Sequence, residues 1–187
     1  MLFVGIDGEM SGTEIDKGHR LIQIGLSVRT EAGIESIGYL LKPRLDMLWD
    51  DDAAKVHEIP LERLERQGLD EKEVDELVYQ WLVSHGANPK QRGKTIPIGF
   101  NIIGFDMPFI KLQLPKTYSL LSRRMADLNG MLWLLHGKNR KNMDSWKKMA
   151  LDYAQLNLPD FNPHDAEWDA KRHLLCFEYL RSVILSA

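Results

Sequence analysis

Three apolar segments of strand length fill the first forty residues of the chain: Leu2–Asp7, Arg20–Val28 and Ile34–Leu41. Turn-forming stretches part them: Ser11-Gly12-Thr13, Asp16-Lys17-Gly18 and Thr30-Glu31-Ala32-Gly33. Short apolar runs bounded by such turns predict an antiparallel meander. Around Asp50 the texture changes. Val74, Leu77, Val78, Trp81 and Leu82 recur at the three-and-four spacing of one buried helix face. Thr95–Phe100 then reads as a short strand ended by Asn101. Helical stretches are expected near 104–113, 127–135, 143–155 and 166–184, with a short strand near Arg123–Ala126. A meander followed by alternating helices and short strands is an α/β domain whose sheet mixes antiparallel and parallel pairs. With no repeat or linker in 187 residues, residues 1–187 read as a single domain.

A hydrophobic fraction of 44% excludes wholesale disorder and low-complexity architectures. The single cysteine, Cys176, has no intrachain disulfide partner, which fits a reducing, cytoplasmic compartment. No apolar run approaches the ~18 residues of a membrane span, so no membrane partner is expected. The opening segment lacks a basic leader and reads as a strand, not a signal peptide. The net charge of −3 is unevenly spread. Residues 46–80 hold 12 acidic and 4 basic side chains, whereas residues 107–148 hold 9 basic and 2 acidic, among them Lys138, Arg140, Lys141, Lys147 and Lys148. Two solvated faces of opposite sign explain that asymmetry, and so does one face set aside for phosphates.

Three places carry candidate chemistry. In Asp7-Gly8-Glu9 the two acids stand at i and i+2 on a strand, so both carboxylates leave its end on the same side. Such a pair repels unless a cation neutralises it. A second Asp-x-Glu, Asp165-Ala166-Glu167, is explained by acids favouring the first turn of a helix. The second candidate, Asp106, stands between Phe105, Met107 and Phe109; the competing role is to cap the helix that follows. In the third, Asn162–Ala170, a helix begun near residue 166 places Ala166, Asp169, Ala170, His173, Leu174 and Phe177 on one apolar stripe. A carboxylate there needs a cation, a hydrogen-bond network or a proton. Pairing of Asp169 with His173 at i+4 would satisfy it structurally. His164 falls in the preceding loop, free to aim its ring at whatever Asp169 holds.

Taken in order, Asp-x-Glu at the end of strand one, an Asp in a Phe-rich segment after a mid-chain strand, and His-x-Ala-x-x-Asp at the last helix resemble the DEDD 3′–5′ exonucleases of the His-containing subclass. These have a ribonuclease H-like fold and include the epsilon proofreading subunit of DNA polymerase III, ribonuclease T and oligoribonuclease. The resemblance extends to Arg20-Leu21-Ile22-Gln23-Ile24-Gly25 and to Ala54-Lys55-Val56-His57-Glu58-Ile59, which is similar to the family's Val-His-Gly-Ile segment. Gly8 departs from the apolar residue or Thr usual between the first two acids, and Glu58 from the usual Gly.

The resemblance implies a five-stranded mixed sheet flanked by helices. It also implies a phosphodiester hydrolase acting on the 3′ end of single-stranded DNA or RNA to release nucleoside 5′-monophosphates. Asp7, Glu9, Asp106 and Asp169 would hold two divalent ions, Mg²⁺ or Mn²⁺, with His164 as general base. Two such ions, roughly 3.5–4 Å apart, serve the attacking and leaving oxygens of a displacement. Imidazole, titrating near ~6.5 when unperturbed, suits the base. Met10 and Ser11 would meet the terminal 3′-hydroxyl and Phe105 would wedge the last bases. Some relatives are homodimers and one serves a DNA polymerase, so both partners are compatible with the family. Three other readings stand beside this one: an oligoribonuclease-like hydrolase of very short RNAs, a phosphohydrolase of small phosphates, and a non-catalytic nucleic-acid-binding module.

Overall fold

The computed structural model describes residues 1–158 and 164–186. Five strands, β1 (Leu2–Met10), β2 (Leu21–Thr30), β3 (Gly33–Leu40), β4 (Thr95–Gly99) and β5 (Ala126–Asp127), form one sheet in the order β3-β2-β1-β4-β5. The first three strands are the expected antiparallel meander, and β4 and β5 add on in parallel. This is the mixed α/β sheet of the ribonuclease H-like fold. The helices are α1 (Asp51–His57), α2 (Leu61–Gln67), α3 (Glu71–Ser84), α4 (Asp106–Gln113), α5 (Pro115–Leu120), α6 (Leu128–Leu135), α7 (Met143–Asn157) and α8 (Ala166–Leu185).

Strand alternation divides the core in two. Val4, Ile6 and Met10 of β1, with Ile24, Leu26 and Val28 of β2, pack against α3, α4 and α5. The other face of the sheet receives α8, which packs with α6 and α7 around Ile98, Leu132, Trp146, Leu174 and Phe177. On that face the strands present small residues. Ser27 Oγ donates to Ala170 O (2.8 Å). At Gly5 and Gly25 a Cβ would overlap the backbone of α8, at Ala170 and Ala166 respectively. The helix lies directly on the sheet there, and only hydrogen leaves room for it.

Two expectations shift. The strand near Arg123–Ala126 is just Ala126–Asp127, paired in parallel with Ile98 and Gly99 of β4. Helix α5 was not anticipated. It is held from outside: the buried Asp75 of α3 accepts hydrogen bonds from Lys116 N (2.9 Å) and Thr117 N (2.8 Å). Glu58 closes α1 at φ 53°, the left-handed conformation that glycine adopts without strain.

Candidate active site

Strand β1 outruns β4: the parallel pairing stops at Gly5, while the antiparallel pairing with β2 continues to Met10. Beyond Gly5 the strand's α8-facing positions are Asp7 and Glu9. Helix α8 starts where the Asp165 carboxylate accepts from Glu167 N (3.1 Å) and Trp168 N (3.2 Å), so the second Asp-x-Glu is a cap. One turn later Asp169 is buried against the strand. Carboxylate oxygens of Asp7, Glu9 and Asp169 all lie within 4.8 Å of one another. Asp106, the first residue of α4, is buried at the strand edge that β4 leaves open. Its Oδ1 lies 3.4 Å from where a Cβ on Gly8 would be. The same Cβ would stand 2.7 Å from Leu21 Cδ1 and 3.2 Å from Met10 Cε, so a side chain there requires those two ends to shift.

Burial and mutual repulsion govern the ionisation of this cluster. Asp7 is raised well above the ordinary carboxylate range, first by burial and then by the charges of Asp106, Asp169 and Glu9. Glu9 is pushed up to about 8 by burial, Asp169 and Asp106. Asp106 goes to about 7 through burial, although backbone N–H groups of Asp106 and Gly8 pull it down. Asp169 is raised by burial against the opposing charges of Arg172 and His164. Arg172 Nη2 stands 2.9 Å from Asp169 Oδ1, without hydrogen-bond alignment. One guanidinium does not balance four carboxylates. A hard, all-oxygen donor set that repels itself fits divalent cations such as Mg²⁺ or Mn²⁺.

That electrostatic state has a measurable consequence. The folded chain holds its carboxylate protons more tightly than the unfolded chain does. Metal-free stability therefore falls as pH rises from the ordinary carboxylate range of about 4 to about 8. A divalent ion at about 100 times its Kd should raise Tm at pH 8 by roughly 5–10 °C. The rise should shrink at pH 5.5, where protons occupy the same oxygens. Differential scanning fluorimetry with EDTA, Mg²⁺ or Mn²⁺ at the two pH values checks both signs; a metal effect independent of pH would contradict this account.

The other expected residues are distributed as follows. His164 is exposed, at φ 60°, directly before the α8 cap. Its electrostatic influence reaches both Asp169 and His57. Asn162 and Pro163 lie outside the described residues. Met10 is buried in the core beneath the sheet. The Ser11 hydroxyl is fully buried, donating to Leu48 O (2.7 Å) and accepting from Arg20 N (2.9 Å), so it braces the turn after β1. Phe105 is half-buried, edge-on to Phe109 with ring centroids 6.1 Å apart.

His173 does not pair with Asp169. Its Nδ1–H donates to Ile6 O (2.8 Å), and burial holds the ring neutral, its pKa down at about 4. The basic segment is similarly dispersed. Lys138 Nζ donates to Val183 O (2.7 Å) at the end of α8, and Lys148 pairs with Asp152 (2.7 Å). Only Lys147 connects to the cluster through described contacts, its Nζ over the Phe100 ring (5.2 Å) and that ring against His173 (5.3 Å). Sequence reasoning missed Arg172 and the polar wall beside the site. A cavity of about 350 Å³ adjoins the start of α8, lined in part by Gln23, Tyr39, Arg63, Gln67 and Asp165.

No family model matches the chain, and neither does any curated protein sequence. Solved structures do match in fold. E. coli Exonuclease I in complex with a dT13 oligonucleotide aligns with TM-score 0.71 at 16% identity, over 99% of this chain and 42% of that one. A moderately thermophilic Exonuclease I from Methylocaldum szegediense aligns with TM-score 0.66 at 17% identity, over 99% and 43%. A product-bound exonuclease I aligns with TM-score 0.65 at 15% identity, over 99% and 46%. The chain thus spans less than half the length of the exonuclease I chains it matches. What it shares with them across its whole length is the ribonuclease H-like fold.

Proposed function

We propose that this chain is a metal-dependent 3′–5′ exonuclease domain, cytoplasmic, that removes nucleoside 5′-monophosphates from single-stranded nucleic acid. The observation that carries the reading is the meeting of Asp7, Glu9 and Asp169 within 4.8 Å, with Asp106 at the adjoining strand edge. These side chains come from two ends of the sequence and a middle helix, and all four are raised in pKa. Packing alone does not call for four repelling acids. The fold match to exonuclease I, including complexes with oligonucleotides, supports the same reading.

The roles follow from position. Asp7, Glu9, Asp106 and Asp169 would hold the ions. When bound, two divalent cations lower the energy of charge developing on the attacking and leaving oxygens of a phosphodiester. His164, exposed directly before the α8 cap, takes the proton from the attacking water. The left-handed backbone at residue 164 and the Asp165 cap fix where the loop meets the helix. The cavity beside Gln23, Arg63 and Gln67 has room for a nucleotide. Lys147, over Phe100, is the cation placed to meet a phosphate of the incoming strand.

A gel tests the proposal. 5′-labelled single-stranded DNA and RNA, some only two to five nucleotides long, are incubated with Mg²⁺ or Mn²⁺. A ladder shortening from the 3′ end is expected. Cleavage restricted to the shortest RNAs would favour an oligoribonuclease-like enzyme, and binding without cleavage a non-catalytic module. His164→Gln should lower kcat by about 10²–10⁴-fold while leaving Mn²⁺ and oligonucleotide affinity in place. Loss of metal in that variant would assign His164 to the ion instead.

A further inference from the structure

Two arginines meet carboxylates on α8, and only one does so with both ends of its fork. Arg29 grips Glu178 side-on, Nε to Oε1 at 2.9 Å and Nη2 to Oε2 at 2.6 Å. Arg172 presents the same pair of nitrogens beside Asp169. There Nη2 stands 2.9 Å from Oδ1 but is not aligned to donate, and the buried Nε has no hydrogen-bond partner among the described residues. A planar side-on fork matches the oxygens of a carboxylate or a phosphate. A buried guanidinium N–H without an acceptor is costly. An unfilled fork at the edge of the acidic cluster therefore points to an acceptor that arrives from outside the chain.

Charge and position select that acceptor. Burial raises the pKa of Asp7, Glu9 and Asp169, and the Arg172 charge pulls each back, so the guanidinium is within electrostatic reach of all three. Once Asp169 is committed to a divalent ion, its attraction for Arg172 is cancelled and the fork is released for an anion. The side chain is partly exposed. Its guanidinium lies over the Trp168 ring, 5.5 Å from the centroid, on a flat surface along which it can turn. Lys147 borders the same seam between α7 and α8. Burial raises the pKa of the Cys176 thiol and both cations pull it back, while Cys176 Sγ donates to Ala150 O (3.4 Å) across the seam.

We propose that Arg172 is a phosphate-binding residue of this site: its Nε and Nη2 turn from Asp169 and donate side-on to the phosphate being cleaved, and then to the released 5′-monophosphate. The inference rests on the reading of the acidic cluster as the metal centre of a nuclease. Removing the guanidinium should then move two affinities in opposite directions, tightening the cation and loosening the phosphate.

The test measures both on the full chain: Mn²⁺ alone, by electron paramagnetic resonance of the free ion, and thymidine or uridine 5′-monophosphate at saturating Mn²⁺, by calorimetry. In Arg172→Gln the Mn²⁺ Kd should fall about 3–10-fold, because a repelling charge is gone. The monophosphate Kd should rise at least ~10-fold. Arg172→Lys keeps the charge without the fork, so its Mn²⁺ Kd should stay parental while its monophosphate Kd still rises. That variant decides the matter where Arg172→Gln fails to fold. An unchanged monophosphate Kd in either variant overturns the proposal and leaves Arg172 as a fixed counter-ion of Asp169. Weakening of Mn²⁺ and monophosphate together in Arg172→Gln also overturns it, since a residue that merely braces α8 would loosen both. No Mn²⁺ bound by the parent chain overturns the metal-centre reading itself, and the inference with it.

Discussion

Asp7→Asn should be inactive and yet more stable than the parent chain in the absence of metal. Asp7 is buried and faces Asp106, Asp169 and Glu9, each of which raises its pKa. The amide keeps the shape and removes the charge. Without that carboxylate the ions lose the ligand at the centre of the cluster, and turnover on a labelled oligonucleotide should fall at least ~10³-fold, about 4 kcal/mol of barrier. At pH 8 with EDTA the same substitution removes a repelling buried charge, so Tm should rise, by about 2–4 °C for each kcal/mol relieved. A merely structural aspartate would behave the other way, losing stability without a specific loss of turnover. Near-parental turnover in Asp7→Asn would dissociate the acidic cluster from catalysis altogether.

Gly25→Ala should cost about 3 kcal/mol or more and lower Tm by roughly 6–12 °C. The added methyl would overlap the carbonyl of Ala166 and stand 2.4 Å from Glu167 N, and both are backbone atoms that no rotamer change can clear. Helix α8 must lift from the sheet at its first turn, three residues before Asp169. Because a misplacement of about 1 Å can cost roughly 10²-fold in rate, activity should fall beyond what the remaining folded fraction explains. Thermal melts, with activity measured well below Tm, separate the two effects. Gly130→Ala is the control. No atom outside its own helix backbone and chain neighbours lies within 4 Å of the added methyl, in the first turn of α6, and it should stabilise by about 0.5–1 kcal/mol. Equal losses in the two variants would mean that close approach of α8 to the sheet is not what positions the site.

Much of this was legible in the residues. The strand period places Asp7 and Glu9 on one side, and the helical period places Asp169 with Ala166, Ala170 and Leu174 on a buried stripe; both arise from local backbone geometry and survive any packing. The meander, the later strands and the long last helix were readable on the same grounds. Helix α5 was not, since its first turn is capped by the carboxylate of Asp75, a residue about forty positions away. Nor was the choice of partner for Asp169. Spacing allowed His173 at i+4, but in the folded chain that ring turns to Ile6 O and Arg172 stands beside Asp169. The surroundings of Ser11 belong with these: the chain from Leu48 and Arg20 folds over its hydroxyl, and no sequence pattern links either partner to it. By itself, then, the sequence determined which side chains share a face of each strand and helix. Only the tertiary structure decided which faces meet, because the approach of α8 onto Gly5 and Gly25, and of Asp106 onto the edge of β1, depends on atoms far apart in the chain and on the space that glycines leave between them.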